Sequence, residues 1–193
     1  DLERARACYE ECLALGRALG APELSGMPLG NLGSLALATG DLEQAVLYSE
    51  EALAVDRQTL DKTSAAVDLT VLALVAWRRG QLGQAATLAE EALVLHRAAR
   101  DERHYADGLE VCAIIFASQG RAQQAARLLG AAAASRARIG MRRRMNLPTV
   151  DDIDVAVAPA RAALGEKAWT ATYAAGRALS LEEAVAEALN EPG

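Results

Sequence analysis

A period of forty residues constrains this chain more than any other feature. Gly40-Asp41-Leu42, Gly80-Gln81-Leu82 and Gly120-Arg121-Ala122 are spaced by forty, and the chain starts in the same phase at Asp1-Leu2. Ala5, Ala45, Ala85 and Ala125 coincide, and so do Cys12, Ala52, Ala92 and Ala132. Glu10-Glu11, Glu50-Glu51 and Glu90-Glu91 coincide, whereas the fourth copy reads Gly130-Ala131. Between these, Leu29, Leu69 and Leu109 share a phase, as do Leu32, Leu72 and Cys112, and Gly33, Ala73 and Ala113. Apolar residues recur at helical spacing, so each unit reads as two helices. Gly40, Gly80 and Gly120 fall where a helix must stop and turn, which suits a left-handed cap. The small residues have a geometric reason, because they let two helix backbones approach to about 8 Å.

Composition agrees with helices. Alanine, the best helix former, supplies 44 of 193 residues, and aromatics only 4%. An apolar content of 52% with a net charge of −6 excludes disorder. The same acidity argues against direct nucleic-acid binding. The longest uncharged run, Leu24 to Gly40, carries four glycines and polar residues and is a poor membrane span. No signal peptide opens the chain, and its start at Asp1 reads as a piece of a longer protein. Three cysteines without framework spacing fit a reduced, cytoplasmic setting.

The spacings Gly33/Gly40/Ala45/Ala52, Ala73/Gly80/Ala85/Ala92 and Ala113/Gly120/Ala125/Ala132 resemble the tetratricopeptide repeat. Two departures stand out: the family's usual period is about 34, and its Pro at the end of helix B is replaced by Arg57 and Arg97. HEAT-like repeats have a similar period and are the structural alternative. The resemblance implies an all-α fold, a right-handed superhelix of antiparallel helix pairs closed by a C-terminal helical cap. The expected organisation is repeats over 1–140 (a half repeat at 1–20, then 21–60, 61–100 and 101–140) and capping helices over 141–193. Helices are predicted at 1–19, 25–39, 41–58, 62–79, 81–99, 102–119 and 121–139. Pro28 fits a first turn if Ser25 is the N-cap.

Beyond Gly140 the repeat fails. Residues 141–148 read as a loop. Thr149 or Asp151 caps a helix to about Leu164, which Pro159 should kink or split. A second helix covers about Glu166 to Ala178, and Ser180-Leu181-Glu182-Glu183 is a capping box that opens a third. The segments Ala125–Ala132, Arg161–Glu166 and Gly176–Ala184 are similar to the end of the tetratricopeptide region in large bacterial signal-transduction ATPases, including LuxR-type transcriptional regulators of actinobacteria. That resemblance implies an ATPase domain elsewhere in the full-length protein, with the repeats sensing an inducer or partner and restraining it. This chain has no G-x-x-x-x-G-K-[ST] phosphate loop of its own.

No catalytic residue, metal ligand or cofactor is expected. Cys8 and Cys12 put two sulfurs on one helix face, but a structural zinc site needs four ligands, and Cys12 shares its phase with packing alanines. His96 and His104 read as surface residues. Gly26, Gly30 and Gly33 lack the G-x-G core and a preceding strand; Gly33 reads as a close helix contact. Arg142-Arg143-Arg144 reads as a solvated loop with a use in docking a neighbouring domain.

The family resemblance places helix A on the concave wall. Carried over position by position, the groove comprises Met27, Gly30, Ser34, Leu37 and Ala38; Val67, Thr70, Leu74, Trp77 and Arg78; and Asp107, Glu110, Ile114, Ala117 and Ser118. Trp77 beside Arg78 is the expected anchor, since both types are enriched at binding hot spots. The expected function is a non-catalytic interaction and sensor module that binds a protein, a peptide or a small-molecule inducer. A plain scaffold that binds partners or self-associates as a homodimer is the alternative.

Overall fold

The computed structural model describes residues 2–100, 102–140 and 148–190. Met141–Leu147, with the expected loop and its Arg142-Arg143-Arg144 run, lies outside them. The described residues form an all-α, tetratricopeptide-like helical solenoid. It opens with α1 (Leu2–Ala18) and a short 3₁₀ turn (Pro22–Leu24). Three helix pairs follow: α2 (Gly26–Thr39) with α3 (Leu42–Thr59), α4 (Lys62–Arg78) with α5 (Leu82–Ala99), and α6 (Glu102–Ser118) with α7 (Ala122–Arg138). The tail comprises α8 (Val150–Leu164), α9 (Glu166–Arg177) and α10 (Leu181–Ala188).

The turn inside each pair is built the same way. Gly40, Gly80 and Gly120 have φ of 84°, 74° and 78°, which a side chain would strain. The residue after each closes the helix end: Asp41, Gln81 and Arg121 donate their backbone N–H to the carbonyls of Ala36, Ala76 and Phe116. Small residues then set the pair spacing. Ala45, Ala52, Ala85, Ala92, Ala125 and Ala132 are fully buried, and a Cβ on Gly33 would land on the Ser49 side chain. Ser25 precedes α2 as expected, but its hydroxyl caps nothing, and Pro28 is tolerated in the first turn, where its missing N–H has no helical partner.

Successive outer helices are tied by exposed ion pairs with the repeat's own spacing, Arg17 to Glu51 and Arg57 to Glu91. Arg57, which stands where the family carries Pro, therefore links one outer helix to the next.

The tail departs from the stack. Gly130 of α7 and Gly176 of α9 meet backbone to backbone: a Cβ on Gly130 would strike the Tyr173 carbonyl, and one on Gly176 the Arg127 carbonyl. This crossing explains why the fourth copy replaces the first residue of the repeated Glu pair with Gly130. α8 packs on α6 and α7, and its Ile153, Ala156, Val157 and Ala160 join the core that contains Leu37, Leu74 and Ile114. Thr149 is its N-cap, in a capping box with Asp152. Pro159 does not split α8; it lies on the exposed face, in line with exposed Val155, whose carbonyl it leaves unpaired toward solvent.

Cys8 and Cys12 are exposed and do not pack as the alanines in phase with Cys12 do. His96 is not a surface residue but 1% exposed, in a space that Gly108 leaves on α6. It stacks on His104 with ring centroids 5.8 Å apart. Cys112 is the buried cysteine, and burial pushes its thiol up to about 12, which keeps it unreactive.

Candidate functional site: two parts of the inner wall

The inner helices α2, α4 and α6 do not form one continuous groove. At the end nearer the N-terminus, Met27, Gly30 and Ser34 of α2, Val67 and Asp68 of α4 and His104 of α6 surround an open cavity of about 320 Å³. Met27 stands 63% exposed at its mouth. Asn31, Asp56 and Ser64 complete the lining. A volume of this size lies at the low end for ligand pockets, about 300–1,000 Å³.

At the other end α8 enters. Arg78 donates from Nε and Nη2 to the two carboxylate oxygens of Asp152, at 3.0 Å each, and from Nη1 to the Leu37 carbonyl at 2.7 Å. Asp152 also accepts from the Thr149 hydroxyl and backbone N–H. Burial alone would raise the Asp152 carboxyl, but these donors hold it below the usual carboxylate value. Trp77 is half-buried, and its Nε1–H donates to the Ser118 hydroxyl at 2.8 Å. Ala38, Trp77 and Arg78 line a cleft of about 550 Å³ against Asp151, Asp152 and Val155 of the tail.

The expected groove residues therefore sort into groups. Met27, Ser34 and Val67 come together at the open cavity with Gly30, and Trp77, Arg78 and Ala38 at the cleft beside α8. Leu37, Thr70, Leu74 and Ile114 offer no surface, since they are buried in the core where the inner helices pack on one another and on α8. Ala117 is buried as well. Asp107 and Glu110 are also not free for a ligand. Both are buried and both accept hydrogen bonds from Arg136 of α7, at 2.5 Å and at 2.7 and 3.2 Å. Burial alone would lower the Arg136 guanidinium, and the carboxylates of Glu110 and Asp107 more than offset it.

Asp56 and Asp68 are absent from the sequence-based groove, yet they are its most unusual groups. Asp56 is 5% exposed and Asp68 1%, and each has an Oδ2 that no donor from the rest of the protein reaches. Glycines make the room: a Cβ on Gly26 would land on Asp56 Oδ1, and one on Gly30 would press on Asp68 Oδ1 at 2.8 Å. Burial, then the Asp56 carboxyl beside it, pushes Asp68 up to about 9. Burial also raises Asp56, against the hydrogen bond it shares with Asp68. The pair therefore holds one proton between two carboxyls at neutral pH. A signal for Asp56 did exist in the repeat: Gly16, Asp56, His96 and Arg136 share one phase, and all four are buried.

The tetratricopeptide repeat family matches residues 1–58. Neither the curated proteins nor the solved structures yield a match. Tetratricopeptide repeats generally mediate protein–protein interaction, and their fold is typically a non-catalytic scaffold. Among the described residues, no helix is long and apolar enough to cross a membrane, and no group of three or more His, Cys, Asp or Glu side chains is placed to hold a metal ion.

Proposed function

We propose that this chain is a non-catalytic interaction and sensor module whose ligand enters the open end of the inner wall. The observation that carries the reading is the split of that wall: the cavity at Met27, Ser34, Val67 and Asp68 is open, while α8 fills the part beyond. The cavity lies between four helices, α2, α3, α4 and α6, and concave spaces between packed helices are common binding sites. The ligand is a protein or peptide segment, or a small-molecule inducer, in the cytoplasm of a bacterial cell; the three unpaired cysteines are in keeping with that compartment.

We further infer that the chain is the end of the repeat region of a larger transcriptional regulator of the LuxR kind, where it controls an attached ATPase. The sequence likeness of the tail supports this. The Arg78–Asp152 fork supplies a mechanism: it couples the wall to the tail, so a ligand that prefers one arrangement of α8 shifts the population of both. The second reading, a scaffold that self-associates, is favoured by exposed Leu15 and Leu19 on and just after α1.

Native mass spectrometry after incubation with lysate of the source cells tests these readings. A bound species that is lost in Val67→Trp, which fills the cavity, is the expected result. A species of a few hundred daltons identifies an inducer, and a larger one a partner protein. A bound species unaffected by Val67→Trp, or a homodimer alone, overturns the cavity reading in favour of the scaffold. For the regulator, ATP hydrolysis by the longer protein that does not respond to the captured ligand contradicts control of an ATPase.

A further inference from the structure

Two acid pairs lie along the inner wall, and one has its cation. Asp107 and Glu110 share the guanidinium of Arg136. Asp56 occupies the same repeat position as Arg136, so where the later repeat supplies a cation, the earlier one supplies a second acid. Among the described residues, no Lys or Arg lines the cavity at Asp56 and Asp68.

We propose that the Asp56–Asp68 pair is a binding site for an organic cation, an ammonium or guanidinium group carried on a short chain. This deepens the cavity reading above and rests on it. Three observations converge. Both carboxyls are more than nine-tenths buried and line a cavity, and each has an oxygen that no donor outside the pair reaches. An unpaired buried charge is costly unless a cation or a proton neutralises it. Gly26 and Gly30 leave open the side from which a ligand comes, because any side chain there would meet the carboxyl oxygens. The cavity admits a group of side-chain size. A metal ion is a poor occupant, since among the described residues no third carboxylate, His or Cys joins the two to complete a ligand set.

The exchange balances. The free pair holds one proton between two carboxyls and carries one negative charge. The bound pair holds the ligand's cation between two carboxylates and carries the same net charge, and the proton leaves to solvent. The other titratable groups facing the pair are His104 from α6 and Asp61 from the turn before α4; α2 contributes no charge. Asp61 adds repulsion that favours a cation further.

Calorimetric titration at pH 8, in two buffers of different ionisation enthalpy, tests the proposal. The probes are agmatine, acetyl-Gly-Arg-Gly-amide and the neutral citrulline analogue of that peptide. Agmatine, the arginine peptide or both should bind with release of up to one proton, and the citrulline peptide at least tenfold more weakly. Asp68→Asn, which keeps the shape, should weaken the charged probes about tenfold, which is 1.4 kcal/mol, and abolish the proton release. Agmatine binding alone points to a free amine ligand; arginine-peptide binding points to a basic side chain of a partner. No binding of either charged probe, or equal binding by Asp68→Asn, overturns the cation site. Either failure is separable from failure of the cavity reading: if Val67→Trp still expels the ligand captured from lysate, the cavity binds something that is not a cation.

Discussion

Arg136 lies between Asp107 and Glu110 and hydrogen-bonds to both, whereas Asp56 and Asp68 face one another beside an open cavity. Both clusters are buried, and both grow from the same position of the outer helix. In the third repeat the chain neutralises its buried acids internally, so the cluster is structural and closed. At the first-to-second repeat junction the acids are left to a shared proton. One repeat position thus carries a cation that fastens two acids in one place and an acid in the other. The clusters differ in the outer-helix side chain, Arg136 against Asp56, and in where the inner-helix acids stand: Asp107 and Glu110 lie on the helix before Arg136, and Asp68 on the helix after Asp56, with Gly26 and Gly30 beside the open pair.

The closed cluster should be the more fragile to mutation. Arg136→Met leaves two buried carboxylates without their cation and should cost about 3–5 kcal/mol, read as a lower urea midpoint. A loss below about 1 kcal/mol would mean that the cluster is hydrated and not a fastener.

The tail fork lies between the two clusters. Asp152→Ala removes the partner of Arg78 and should cost about 1.5–3 kcal/mol, the range for hydrogen bonds to charged groups. Because Asp152 is held below its usual value, its contribution is present above about pH 4 and is lost as pH falls through the depressed folded value. Equal destabilisation of wild type and Asp152→Ala by acid would contradict that role.

The open cluster should respond in the opposite direction. Asp68 is raised from 3.8 to about 9, so the folded chain holds a proton that the unfolded chain has released. Its stability is therefore full below the unfolded value and falls as pH rises through the window up to 9. Asp68→Asn removes this loss. It should stabilise the chain by about 1–2 kcal/mol at pH 8, with little gain at pH 4, as read by thermal unfolding. A variant less stable than wild type at pH 8 would show that the carboxylate is satisfied in the fold.

The smallest effect is expected outside both clusters. Arg57→Ala breaks an exposed pair with Glu91 and should cost less than about 1 kcal/mol. A larger loss in chemical denaturation would give the outer ladder a role comparable to the buried clusters.

Much of the architecture was legible because it is periodic. Glycines at 40, 80 and 120 gave the turns, and the alanines gave the close pairs, since small residues and φ > 0 are backbone requirements that recur with each unit. The tail was legible as helices but not as placement. Ile153, Ala156, Val157 and Ala160 form one apolar face, yet nothing in their spacing says that it packs on α6 and α7 and joins the core that contains Leu37, Leu74 and Ile114. Gly130 acquires meaning only opposite Gly176. The open end of the wall was half legible: Met27, Ser34 and Val67 follow from family spacing. Asp56 and Asp68 did not, because an acid in a helix ordinarily reads as solvated surface, and their burial depends on glycines 30 to 38 positions away. The repeat phase shared by Asp56, His96 and Arg136 was the available signal, and it was obscured because the residue type changes in each copy.

The shared proton is the most direct point of attack. Side-chain carboxyl carbons of Asp56 and Asp68 can be followed by nuclear magnetic resonance from pH 3 to 10 in the ligand-free chain. The pair should keep one proton at pH 7 and release it near pH 9. Two carboxyls of the Asp56–Asp68 pair that are both ionised by pH 6 would contradict the shared proton, and with it the reading of this cavity as a place prepared for a cation.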